Sequence, residues 1–191
     1  RKSFLELEFK KNYISLMLPK VRNAQKETGS KKRYAGLIEL DGKESIEIVG
    51  LEAIRGDWTQ AAKDFQIELL NKVFHRQDPI TFIKEYIKKI NEGKIDSKLV
   101  YRKSIRKNLD EYTKTTPPHV KAARKLDKLD SNIIEYYITV EGPEPIQKLR
   151  HKLDYEHYIE KQIMPIADTV LHFFNTSVEE ILKNTKQKKL F

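Results

Sequence analysis

The chain has 191 residues, 37 Lys and Arg against 28 Asp and Glu, a net charge of +9, 39% hydrophobic residues and no cysteine. That length and apolar content suit one domain or a small pair with a real core. The lack of cysteine excludes disulfides, zinc ribbons and thiol catalysis, and the lack of any apolar run of about 18 residues or of a signal-peptide layout argues against a membrane span or a secretory leader.

Residues 4–17 open with Leu5, Leu7 and Phe9 alternating with Glu6, Glu8 and Lys10, a strand-like period of two. The second half is open between strand and helix, since Tyr13, Leu16 and Met17 also share a helical side, and Pro19 ends either element. A polar loop follows over 25–30, then a short strand from Tyr34 to Leu40, a hairpin signal at Asp41-Gly42, and a return strand from Ser45 to Val49. The first 50 residues thus read as an antiparallel meander. Beyond Gly50 the period changes. Asp57 with Gln60 has capping-box spacing, and Ala61, Phe65, Leu69 and Val73 form one helical face. Asp78, Pro79 and Gly93 punctuate a second helix bearing Phe82, Ile83, Tyr86, Ile87 and Ile90. Residues 98–106 alternate weakly, as a short strand would. Thr116-Pro117-Pro118 starts a helix with Val120, Ala123 and Leu126 inward, and Ile133 to Val140 is a strand. Gly142-Pro143-Glu144-Pro145 reads as a loop. Asp154 caps the longest helix, in which Pro165 predicts a kink or break near Met164, and Ser177 with Glu180 offers one more capping box. The fold class is α+β: a small antiparallel meander, then a mainly helical part with one or two short strands.

The charge is concentrated. Between Lys94 and Lys128 eleven basic residues face four acidic ones, a surplus of seven. Smaller knots lie at Lys31, Lys32 and Arg33, and at Lys183, Lys186, Lys188 and Lys189. Such gathering suits phosphate, because each neutralised phosphate releases condensed counterions; a merely solvated helix face is the competing reading. The five histidines show no helical zinc spacing, and no phosphate-cradling glycine loop or nucleophile elbow occurs. On residues alone this is a basic binding module with no visible reaction centre.

Four strings, in order, resemble the C-terminal part of family B DNA polymerases. They are Lys31-Lys32-Arg33-Tyr34-Ala35-Gly36; Gly50 through Trp58, with Gln66 beyond it; Tyr101-Arg102-Lys103 through Glu111-Tyr112 and on to Pro118-His119-Val120-Lys121; and Asp154-Tyr155-Glu156-His157-Tyr158 through Pro165. Within the family, Tyr101-Arg102-Lys103, Gly142-Pro143-Glu144-Pro145 and the Leu-Phe ending look most like the bacterial polymerase II branch. The resemblance implies that residues 1–50 are the last strands of the palm, 51–182 the thumb, and 183–191 a basic tail. It implies that the chain starts at Arg1, not Met, because the family's metal-binding aspartates lie upstream. On that reading this piece has no catalytic residue or metal site of its own, and Mg2+ serves only the full-length, monomeric enzyme of DNA replication and repair, in the bacterial cytoplasm at the nucleoid.

The same resemblance implies roles. Lys31, Lys32, Arg33 and Tyr34 would face the primer–template near the growing end, where the minor-groove acceptors shared by all base pairs permit sequence-blind contact; Tyr34 could equally be a strand residue packed on its neighbour. Arg102, Lys103, Arg106, Lys107, Tyr112 and Lys121 would grip duplex phosphates. His119, at a helix start, would either meet a phosphate or serve in capping and packing. Trp58 is expected in the core. Gln187, Leu190 and Phe191 resemble the short peptide by which bacterial polymerases engage the sliding clamp, with a frayed tail as the other reading. The alternative overall is an independent basic nucleic-acid-binding or clamp-binding module with no enzymatic parent.

Overall fold

The structure is a computed structural model that describes residues 11–19, 32–113 and 116–187, with side chains as far as Lys183 in the last helix. The expected alternation at Leu5, Leu7 and Phe9, the loop at 25–30, Lys31, Leu190, Phe191 and the side chain of Gln187 lie outside the described residues. The fold is α+β, in two compact units, Arg1–Leu51 and Glu52–Phe191.

In the first unit, β1 (Tyr13–Met17), β2 (Tyr34–Leu40) and β3 (Lys43–Val49) form an antiparallel sheet in chain order. The segment left open between strand and helix is therefore strand: Leu16 pairs with Gly36 and Met17 with Ala35. The turn between β2 and β3 sits at Asp41 and Gly42, both at positive φ (53° and 71°), the conformation that a two-residue hairpin turn requires. Register places Met17, Ala35, Leu37, Ile46 and Ile48 on one face of the sheet. On the other face the Tyr13 ring lies so close over Gly36 that a methyl group there would collide with it.

The second unit opens with α1 (Gln60–Phe74) and α2 (Pro79–Asn91). Phe65 stacks on Phe82 with ring centroids 5.5 Å apart and tilts against Tyr86 at 4.9 Å, while the Tyr86 hydroxyl donates to the Ala61 carbonyl at 2.8 Å. Asp78 caps α2 as the sequence predicts, accepting from the Ile80 and Thr81 N–H groups. The cap of α1 differs from expectation. Thr59, not Asp57, is the N-cap and accepts the Ala62 N–H. Asp57 is held instead by a two-point pair with the Arg55 guanidinium, at 2.7 and 3.0 Å.

A second antiparallel sheet joins β4 (Tyr101–Ser104), β5 (Ile133–Thr139) and β6 (Gly142–Pro145), with α3 (Pro118–Ala123) packed on β5 and β6. The predicted loop at Gly142–Pro145 is thus a strand. Proline has no N–H for a ladder, but β6 lies at the sheet edge, where that loss is tolerated. Leu126, expected on the inner face of α3, falls beyond that helix and is half-buried; Trp58 is half-buried too.

The long C-terminal helix runs on through Pro165 without a break. Asp154 caps α4 (Tyr155–Tyr158), a π turn spans Ile159–Ile163, and α5 (Met164–Leu171) continues. The Met164 N–H reaches back to the Ile159 carbonyl, the wider spacing that accommodates Pro165 and its missing N–H. The π turn also carries Gln162, buried, whose side-chain oxygen accepts from the Thr59 N–H (3.1 Å) and hydroxyl (3.2 Å), so that the π turn and the start of α1 are tied together. Ser177 and Glu180 form the expected reciprocal cap before α6 (Val178–Gln187).

Tyr158, fully buried, locks α4 to the second sheet. Its ring stacks on Tyr101 at 5.7 Å, Tyr101 stacks on Tyr136 at 5.4 Å, and the Tyr158 hydroxyl accepts the Ile138 N–H at 2.7 Å. Tyr158→Phe keeps the stack and orphans that N–H, so chemical denaturation should show a loss of about 1–3 kcal/mol; an unchanged midpoint would contradict the lock.

Candidate nucleic-acid interface

The basic residues singled out in the first unit flank the start of β2. Lys32 is exposed at a positive φ of 62°, and Arg33 and Tyr34 are half-buried. Gly50 explains the local backbone: at φ 65° it passes so close to the Lys32 carbonyl that a side chain would collide with it. Tyr34 meets the edge of the Tyr13 ring at a centroid distance of 6.1 Å. Glu47 accepts from both Lys11 and the Tyr13 hydroxyl, and those donors hold its carboxyl below the ordinary range.

In the second unit the expected phosphate ligands sit on β4, the loop after it and α3. Arg102 and Lys103 are consecutive on β4 and so face opposite sides of the sheet. Arg102 is exposed opposite Glu135 across the ladder, 3.6 Å from its carboxylate. Lys103 lies on the other side, near His119. Burial, helped by the Lys103 charge, lowers the His119 pKa. Tyr112 meets the His119 ring edge to face at 6.5 Å, and its hydroxyl accepts the Arg106 N–H at 3.3 Å. Lys103, His119, Tyr112 and Arg106 therefore converge; Lys107 and Lys121 are exposed nearby in sequence, and Arg102 faces away.

The loop that carries Arg106 and Lys107 is pinned along its length. The Ile105 N–H bonds the Asn132 carbonyl at 2.6 Å, and Asn108 and Glu111 cap one another. Arg124 then straps it to α3, one guanidinium nitrogen donating to the Leu109 carbonyl (2.8 Å) and the Tyr112 carbonyl (3.2 Å). Sequence reasoning counted Arg124 only as charge, and no local pattern reveals that its target is two carbonyls twelve and fifteen residues away. Lys103, Arg106, Lys107 and Lys121, by contrast, make no ion pair with a carboxylate among the described residues. Lys103 still feels the Asp57 charge, while Arg106, Lys107 and Lys121 stand exposed, the chemistry of a surface suited to an anion.

Two buried polar residues support this frame. Gln66, which the family strings place on the first helix, accepts the Ala53 N–H at 2.6 Å and donates to Glu52 at 2.8 Å. Glu144 lies 3% exposed on β6 and accepts from the Arg150 N–H, the His151 N–H, the His151 ring and Lys125. Burial alone would raise its pKa, but these donors together hold the carboxyl at about 2.

Among the described residues no three His, Cys, Asp or Glu side chains converge to hold a metal ion.

The family model of DNA polymerase family B matches residues 2–185. The chain belongs to DNA polymerase family B. It is 39% identical to DNA polymerase II of Escherichia coli (strain K12), over 99% of this chain and 25% of that protein. It is 30% identical to DNA polymerase 2 of Aeropyrum pernix, over 85% of this chain and 22% of that one. A solved structure, the family B DNA polymerase from the hyperthermophilic archaeon Pyrobaculum calidifontis, superposes with a TM-score of 0.60 at 30% identity, covering 75% of this chain and 20% of the other. The chain thus spans about a quarter of the length of the Escherichia coli relative. No helix among the described residues is long and apolar enough to cross a membrane.

The family assignment leaves the acid behaviour of the Glu144 site to be measured. Its folded pKa of about 2 lies below the ordinary 4.5, so its stabilisation is complete above pH 4.5 and is lost as the pH falls from there through about 2. Glu144→Gln should cost about 2 kcal/mol at neutral pH and flatten the acid limb of the stability profile. An acid limb unchanged by the substitution would contradict this assignment.

Proposed function

We propose that this chain is the palm end and thumb of a DNA-directed DNA polymerase, and that it grips primer–template duplex without performing phosphoryl transfer itself. The observation that carries this reading is the pinned loop of unpaired cations, Arg106 and Lys107, beside Lys103 and Lys121, in a chain of family B. These side chains would bind duplex phosphates, which position DNA without reading its sequence. Lys31, Lys32, Arg33 and Tyr34 would touch the minor groove near the primer end, His119 a phosphate, and Arg102 a neighbouring one.

The metals and carboxylates of the reaction would come from other parts of the full-length polymerase, which would act as a monomer in replication and repair in the bacterial cytoplasm. The ending Gln187-Lys188-Lys189-Leu190-Phe191 would tether the enzyme to the sliding clamp, Leu190 and Phe191 filling an apolar pocket and Gln187 hydrogen-bonding beside it. Separate surfaces for duplex and clamp mean that removal of Leu190 and Phe191 should abolish clamp binding and leave duplex binding intact.

Fluorescence anisotropy with mixed-sequence duplexes at two salt concentrations checks the grip. Affinity should fall steeply with salt and vary little with sequence, and each of Arg102→Ala, Arg106→Ala and Lys107→Ala should lower the log–log salt slope by about 0.9. A flat salt response, or strong preference for one sequence, would sink the reading.

A further inference from the structure

Beside Glu144 lies a cavity of about 350 Å³ lined by Lys125, Glu144, Lys148, Arg150 and His151. Four of these five side chains are basic. The carboxylate among them is already saturated: one oxygen takes the His151 Nδ1 (2.7 Å) and Lys125 Nζ (3.4 Å), and the other takes the Arg150 and His151 N–H groups (2.8 and 3.2 Å). Glu144 therefore spends its lone pairs on shaping the 150–151 backbone and orienting the His151 ring. Because Nδ1 faces Glu144, Nε2 is the ring nitrogen left to meet a ligand. The Arg150 guanidinium makes no ion pair among the described residues, and Lys148 is held only by Asp127, whose side chain is 92% exposed. Exchange of that solvated partner for a tighter one costs little.

We propose that this cavity binds a phosphate group, with Arg150 as the planar two-point donor and Lys148 and His151 Nε2 completing the contacts. The His151 ring stands between Glu144, at Nδ1, and the cavity that it lines together with Lys125, Lys148 and Arg150. The phosphate is either a backbone phosphate of nucleic acid or a free one such as inorganic phosphate or pyrophosphate. The surroundings favour the backbone source. Lys125 follows α3 one turn after Lys121, and α3 packs on β6, so the cations of the pinned loop continue along α3 to the cavity. Only this source rests on the proposed duplex grip; the site itself does not.

The test titrates inorganic phosphate into the 191-residue chain while the His151 ring nitrogens are followed by NMR. A saturable shift is expected, with affinity at least tenfold weaker when Lys148→Gln and Arg150→Gln are combined and unchanged in Lys89→Ala, a loss of one exposed charge on α2. Lys148 and Arg150 reach the surface, so the double variant should fold; the buried-ring shifts of Tyr158 check this. A mixed-sequence duplex that produces the same His151 shift, with a salt slope lowered by about one in the double variant, supports the backbone source. A response to phosphate but not to duplex supports the free-anion source. No saturable response to phosphate, or an equal response in the double variant, overturns the site. Failure of the unmodified chain to bind duplex would sink the grip and leave the phosphate measurement standing.

Discussion

The stack of Tyr158 on Tyr101 and of Tyr101 on Tyr136 is the contact on which the charged surface depends. β4 is only four residues long and must display Arg102 and Lys103 with Arg106 and Lys107 just beyond it. Four like charges so close repel one another, and a four-residue strand has few ladder bonds to resist that. The compensation is uncharged and internal. Two aromatic contacts of about 0.5–1.5 kcal/mol each, together with the burial of three tyrosine rings, hold the strand from beneath, and the Tyr158 hydroxyl ties the same helix to the Ile138 backbone. His157, packed edge on against Tyr158, adds its Nε2 to the Tyr101 hydroxyl at 3.1 Å, and burial keeps its pKa low, so the lock stays neutral.

Around that lock the second unit uses polar side chains to fix backbone. Gln162 holds the start of α1, Gln66 holds the turn at Ala53, Arg124 holds two carbonyls of the basic loop, and Glu144 holds the N–H groups of Arg150 and His151. In the basic loop, the Arg124 strap fixes backbone without using a carboxylate, which suits a grip on phosphate. A loop stabilised by ion pairs would have to break them to bind DNA; one stabilised by carbonyl contacts does not. The π turn fits the same logic. Pro165 forces a wider turn, and that turn delivers Gln162 to Thr59.

Much of this was legible in the sequence wherever a local rule decides structure. Asp78-Pro79 and Gly93 bound α2, Asp41-Gly42 turns the hairpin, and the run from Ile133 is strand, because caps, turns and β-branched residues act over a few positions. Long-range partners decided the departures. Asp57 looked like a cap until Arg55 claimed its carboxylate. Gly142–Pro145 looked like a loop because two prolines mask a strand that needs its ladder on one side only. Among the candidate residues, the charge-rich window could not separate Arg124, which binds carbonyls, from Arg106, which is exposed. Glu144 read only as part of a loop string, since its four donors belong to Lys125, Arg150 and His151, outside any local pattern.

On the proposed grip, duplex DNA is held by the cations of the 101–125 segment and not by positive charge in general. α2 supplies the control, because it carries Lys84, Lys88 and Lys89 outside that segment. An amide NMR titration of the chain with a mixed-sequence duplex compares the two directly. Shifts should concentrate on β4, the Ile105–Thr113 loop and α3, with the amides of α2 unmoved; equal shifts on α2 and on the basic segment would overturn the proposed grip.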